Sequence, residues 1–181
     1  MTKKYQIIYA DPPWQYGKWG KANPKSRPNS IAYDMPYPTM TIDEIKALSI
    51  GDIASDSCEL YLWTTQKYLP HSFEVMKAWG FKYCQTLTWC KKPRGTGQGG
   101  LYCPTTEFLL LGRKGKMPKF DRLDTTWFEV KRPHNSHSTK PHFFRQLIEQ
   151  KSYPPRIELF ARQKTEGWDV WGNEVESDIE L

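Results

Sequence analysis

A chain of 181 residues suits one ordinary domain (1–181), large enough to bury about 70% of its unfolded surface. No basic-then-apolar leader and no apolar run near the ~20 residues of a membrane span occur, so a cytoplasmic protein is expected. The net charge of +6 is uneven, since residues 91–145 carry twelve Lys/Arg against four acids; that basic middle favours a polyanionic partner such as nucleic acid.

The first apolar run, Tyr5-Gln6-Ile7-Ile8-Tyr9-Ala10, has the β-branched and aromatic character of a buried strand. Asp11-Pro12-Pro13-Trp14 must end it, because proline cannot donate to a ladder. Such a turn offers acceptors without competing donors. An exocyclic amine presents two N–H groups, which the Asp11 carboxylate and a backbone carbonyl, most simply that of Pro12, are suited to hold. Trp14 is then a candidate to stack on the purine, the alternative being a core tryptophan. Short motifs of this kind have many false positives. The surrounding chain has to decide between the two.

Residues 15–33 are rich in Gly, Lys, Asn, Ser and Pro and read as a long basic loop, with Lys18, Lys21, Lys25 and Arg27 beside Trp19. The loop is either a contact for a substrate strand or plain surface. Thr41-Ile42-Asp43-Glu44 is a capping box opening a short helix to about Leu48. Glu59–Thr64 reads as the second strand. Leu69, Phe73, Met76 and Trp79 recur at helical spacing, with Pro70 in the first turn and Gly80 at the end. Phe81–Trp89 is the third strand and Pro93–Gly100 a glycine loop lacking the Gly-Lys-Ser/Thr of a phosphate loop. Thr106–Gly112 is the fourth strand, followed by a weaker one near 126–130. A helix from Lys140-Pro141 to Gln150, a strand at Arg156–Arg162 and a short last strand at Val170-Trp171 complete the chain, with an acidic tail at 175–181. Strands alternating with helices predict an α/β fold with a mostly parallel sheet.

The four cysteines show no C-x-x-C spacing and read as reduced thiols. His134, His137 and His142 lack companion ligands at metal spacing, so no metal is expected.

Four blocks stand in order along the chain: Ala10-Asp11-Pro12-Pro13-Trp14; Tyr37-Pro38-Thr39-Met40; Ser138-Thr139-Lys140-Pro141; and Ile157–Arg162 with Gly172-Asn173-Glu174. Tyr61-Leu62-Trp63 and Thr88-Trp89 support them. In these blocks the chain resembles the adenine-N6 methyltransferases that include the catalytic subunit of the eukaryotic mRNA adenosine methyltransferase. The resemblance implies a Rossmann-like fold in circularly permuted order, with the catalytic strand first and the strand carrying the S-adenosyl-L-methionine site last. It implies catalytic roles for Asp11, Pro12, Pro13 and Trp14, and cofactor contacts from Asp11, Lys140, Arg162, Asn173 and Glu174. Lys140 is expected on the methionine carboxylate and Arg162 and Asn173 at the ribose and adenine end. An anionic group at a helix start meets the dipole, free N–H groups and an ammonium together. The strand end reads Phe-Ala-Arg, not Phe-x-Gly-x-Gly, so a glycine-rich grip on the cofactor is not expected.

Methyl transfer by direct in-line attack then needs an adenine that is flipped out or single-stranded, sandwiched by Trp14 and Tyr37. Lys91, Lys92 and Arg94, with Lys114, Lys116 and Lys119, are expected to bind phosphates. The compact form points to DNA rather than RNA, to a prokaryotic or phage-encoded enzyme, and to a monomer or simple homo-oligomer. RNA as substrate is one alternative; a silent nucleic-acid-binding subunit is another. Methylation of a protein glutamine would more typically carry Asn before the Pro-Pro pair.

Overall fold

A computed structural model describes residues 3–16, 38–92, 101–116, 118, 123–133 and 139–181. Its strands are β1 (Tyr5–Ala10), β2 (Ala54–Thr64), β3 (Lys82–Lys92), β4 (Thr106–Lys114), β5 (Trp127–Lys131), β6 (Arg156–Leu159) and β7 (Asp169–Trp171). They form one sheet in the order β5-β3-β4-β2-β1-β6-β7. β1 lies parallel to both β2 and β6, β6 is parallel to β7, and β3 is parallel to β5. Only β4 runs against its neighbours, β2 and β3. The fold is thus α/β with a mostly parallel sheet, and the first strand sits directly beside the sixth.

The sequence of β1 explains its central place. Tyr5, Ile7, Ile8, Tyr9 and Ala10 are all buried, as expected for a strand covered on both faces. Alternation sends Ile8 and Ala10 to one side, where Ile45, Met76 and Trp79 pack, and Ile7 and Tyr9 to the other, with Trp63, Trp89, Phe144 and Ile148. The first side is covered by α1 (Ile42–Ala47), α2 (Ile50–Ile53) and α3 (Leu69–Ala78), the second by α4 (His142–Gln150).

The expected capping box is present, with Thr41 Oγ1 accepting from the Glu44 N–H at 3.2 Å and Glu44 Oε2 accepting from the Thr41 N–H at 2.7 Å. Helix α3 closes at Gly80, whose φ of 83° is easy only for glycine. Several boundaries differ from expectation, and β3 and β4 run on past Trp89 and Gly112 to Lys92 and Lys114. β2 begins at Ala54, because Ala54 pairs with Tyr5 although the residues that follow it are polar. β6 stops at Leu159, not Arg162, because Phe160 takes φ 60° and turns the chain. The acidic end folds back on the sheet. Val170 and Asp178 exchange backbone and side-chain hydrogen bonds at 2.8 Å, and Ile179 and Leu181 pack on the core.

Phe144 ties α4 to the sheet, meeting Trp63 edge-on at 4.9 Å with no solvent exposure. Phe144→Ala is expected to cost about 3–5 kcal/mol, read by chemical denaturation. It should also weaken ligand binding through Lys140, which lies just before this helix. A loss below about 1 kcal/mol would mean that α4 is held elsewhere.

Candidate active site

The carboxyl ends of β1, β2, β6 and β7 meet at one edge of the sheet, where open α/β folds bind ligands. Because β4 is antiparallel, its amino end arrives at that same edge. A cavity of ≈ 790 Å³ lies there, and Asp11, Pro12, Pro13, Trp14, Lys140, Arg162, Asn173 and Glu174 all line it. Eight residues named from three of the four blocks are therefore brought to one place, and Pro38 and Met40 of the remaining block line the cavity as well.

The turn after β1 is tight. Trp14 N–H donates to Pro12 O at 2.8 Å, and Met40 N–H donates to Pro13 O at 2.9 Å. The Pro12 carbonyl, expected to hold an amine N–H, thus already carries one hydrogen bond, leaving its second lone pair. Trp14 also differs from expectation. Its ring is stacked on Tyr68 at 5.2 Å, its Nε1–H donates to Trp63 O at 3.3 Å, and only 4% of the residue is exposed. Trp14 is a wall of the cavity fixed from behind, not an open stacking platform. Tyr37, its expected companion, lies outside the described residues, as do Arg94, Lys119 and residues 17–33 of the long basic loop.

Four charges interlock at the centre. Lys140 Nζ lies 2.6 Å from Asp11 Oδ2 and 3.5 Å from Glu107 Oε2, above the Trp63 ring at 5.4 Å. Glu107 Oε1 is 2.5 Å from Lys91 Nζ. Burial pushes the Asp11 carboxyl above the usual carboxylate range, Lys140 opposes this, and Glu107 adds to it. For Glu107 burial also acts upward, but Lys140 and Lys91 together outweigh it and hold it below that range. Burial alone would lower Lys140; Asp11 and Glu107 overcome it and keep the ammonium charged. Of the two carboxylates on Lys140, Asp11 is thus the one more ready to take a proton.

Glu107 did not stand out in the sequence. The one signal was a lone acid at the head of an apolar strand, Thr106-Glu107-Phe108-Leu109-Leu110-Leu111. Lys91 is corrected by the same contact: only 12% of its side chain is accessible, and it serves Glu107 rather than an outside phosphate. Lys92 pairs with Glu129 at the surface. Nor do the described residues of that basic set form one patch. Lys91 and Lys92 end β3 at the edge holding the cavity, whereas Lys114 ends β4 at the opposite edge, ~27 Å from Thr106 along the strand.

At the other end of the cavity the turn at Phe160 leads into Ala161 and Arg162, opposite Gly172, Asn173 and Glu174. Ala161 N–H donates to Trp171 O at 3.0 Å, and Arg162 Nε lies 3.5 Å from Glu174 Oε1. One end thus offers a buried ammonium to a carboxylate, the other a mixed polar rim to hydroxyls and ring nitrogens. His142 is described and lies at the start of α4; His134 and His137 lie outside the described residues. Among the described residues no cluster of three His, Cys, Asp or Glu is placed to hold a metal.

Comparison with known proteins agrees with the residue-level resemblance. The Type II methyltransferase M.MunI of a Mycoplasma species is 35% identical over 195 aligned positions, covering 99% of this chain and 82% of that protein. The human N(6)-adenosine-methyltransferase catalytic subunit METTL3 is 29% identical, covering 96% of this chain and 28% of its own length. The Drosophila melanogaster N(6)-adenosine-methyltransferase MT-A70-like protein is 28% identical, covering 96% and 27%. This chain therefore spans about a quarter of these eukaryotic relatives. The MT-A70 family model matches residues 5–174, almost the whole of the sequence: the chain belongs to the MT-A70 family and is a methyltransferase.

Proposed function

We propose that this chain methylates the N6 amine of adenine in DNA, using S-adenosyl-L-methionine as donor and acting on a base flipped out of the helix or already single-stranded. The observation that carries the reading is the shared cavity, which unites the Asp11-Pro12-Pro13 acceptors with Lys140, Arg162 and Asn173. DNA is preferred to RNA because similarity to a Type II methyltransferase takes in 82% of that protein, against 28% for the human adenosine methyltransferase subunit. A silent binding subunit would have no need of all these groups on one cavity.

The donor set fits the cofactor. Lys140 would take the methionine carboxylate, and Asn173 with the Arg162–Glu174 pair would take the ribose and adenine end. When bound, S-adenosyl-L-methionine supplies an electrophilic methyl group, so alignment and electrostatics are what the protein must add. Asp11 has a second oxygen, Oδ1, beyond the one that Lys140 engages. It accepts one N–H of the target amine, while the remaining lone pair of a Pro12 or Pro13 carbonyl accepts the other. Both contacts draw the nitrogen lone pair out of conjugation with the ring and hold it as a nucleophile. As the N–C bond forms, Asp11 stabilises the positive charge on the amine. Its raised proton affinity also suits it to receive the proton the amine gives up.

The test is methylation of matched DNA and RNA oligonucleotides, single- and double-stranded, followed by nucleoside mass spectrometry. N6-methyldeoxyadenosine is expected from DNA. Label confined to RNA would overturn the choice of substrate, and no label on any adenine would overturn the reading itself.

A further inference from the structure

Lys140 serves more than one master. Its ammonium is 2.6 Å from Asp11 and 3.5 Å from Glu107, and lies over the Trp63 ring at 5.4 Å. Glu107 has a second cation in Lys91, at 2.5 Å. The short, strong bond is the one to Asp11, the residue that must hold the target amine. A carboxylate brought to the same ammonium competes with Asp11 for it.

We propose that Lys140 is a shared cation coupling the two halves of the site, so that a cofactor carboxylate weakens its bond to Asp11 and Asp11 then binds the target amine more tightly. This rests on the function proposed above. The physical reason is the cost of a buried carboxylate whose cation is partly withdrawn. Asp11 recovers the loss by accepting from an N–H, and the adenine amine offers one. Glu107 cannot stand in as the group released, because Lys91 continues to neutralise it. The coupling is reciprocal: a bound base raises affinity for the cofactor by the same factor. It acts through the methionine carboxylate alone, since the nucleoside end of the ligand meets Arg162, Asn173 and Glu174 instead.

The experiment compares S-adenosyl-L-homocysteine with its decarboxylated analogue, S-adenosyl-3-thiopropylamine, which keeps the nucleoside and the amine and lacks only the carboxylate. A fluorescent single-stranded deoxyoligonucleotide holds one adenine in flanks randomised over G, C and T; its control carries hypoxanthine in place of adenine. Each is titrated with the wild-type protein, without ligand and at saturating concentration of either ligand. S-adenosyl-L-homocysteine is expected to raise the adenine-dependent part of the affinity on the order of tenfold, within the 5–150-fold span typical of such couplings. The decarboxylated analogue should not raise it. In Lys140→Gln the adenine preference should be high without any ligand and insensitive to both, a gain that a poorly folded variant cannot produce.

Equal effects of the two ligands, or an adenine preference in Lys140→Gln below that of the ligand-free wild type, would overturn the coupling and leave the proposed function standing. No calorimetric heat with S-adenosyl-L-homocysteine, or no preference for adenine over hypoxanthine under any condition, would overturn both.

Discussion

Asp11→Asn is expected to lower the methylation rate by at least one to two decades while S-adenosyl-L-homocysteine binds as well as before or better. A charge-assisted hydrogen bond is worth about 1.5–3 kcal/mol, and each 1.36 kcal/mol of barrier is about tenfold in rate. The amide keeps the shape of the carboxylate but presents an NH₂ group where the substrate also presents one, so the loss combines a missing acceptor with a repelling donor. Binding of the product is spared because Lys140, relieved of Asp11 at 2.6 Å, is more available to a ligand carboxylate. Single-turnover kinetics and calorimetry separate the two effects. A variant within threefold of wild-type rate would remove Asp11 from the mechanism.

The same residue sets the acid limb of the pH profile. Burial raises its proton affinity, Lys140 pulls the other way, and Glu107 raises it further. The ionised form is the one that accepts from the amine, so activity is expected to fall as pH drops through a value above the ordinary carboxylate range. The sign follows from the net upward shift: protonation begins at higher pH than for an exposed aspartate, and activity is lost sooner on acidification. Asp11→Asn should abolish that limb in whatever activity remains.

Much of this site was legible because its parts are local. Buried β1 and the proline turn that ends it are written in ten consecutive residues. The start of α4 after Lys140-Pro141, and the pairing of β6 with β7 that brings Gly172-Asn173 beside Ala161-Arg162, follow from short patterns of the same kind. What escaped depends on register between distant strands. Glu107 enters the site because β4 is antiparallel and pairs Phe108 with Thr64, and nothing in the apolar run of β4 announces its direction. For the same reason Lys91 and Lys114, both in the basic middle of the chain, point to opposite edges of the sheet. Trp14 is engaged by Tyr68, more than fifty residues away, whose ring stacks on one of its faces. Charge summed along a sequence and aromatic rings beside a motif are therefore weak guides here. A carboxylate at a strand end is a strong one.

Gly172→Ala is expected to weaken S-adenosyl-L-homocysteine binding by more than tenfold and to lower the melting temperature. A Cβ at this position would lie 2.4 Å from Ala161 O, 2.7 Å from Ala161 N and 3.1 Å from the Phe160 carbonyl carbon. These are backbone atoms, so no side chain can swing aside, and the two loops must separate. Overpacking of this kind costs about 1–3 kcal/mol, or roughly 2–4 °C per kcal/mol for a chain of this size. The stability loss is the lesser consequence. Separation strains the Ala161–Trp171 hydrogen bond at 3.0 Å and parts Arg162 from Asn173 and Glu174, which together form one wall of the cavity. Gly167→Ala makes the control, because Gly167 has φ 78° but nothing within 4 Å of a new Cβ. It should lose stability through backbone strain and keep its ligand affinity. If both variants bind the ligand as the wild type does, the approach of these two loops is incidental to binding. If only Gly172→Ala fails, a single glycine does here what a glycine-rich loop does elsewhere, letting two backbone segments close around the nucleoside end of a ligand.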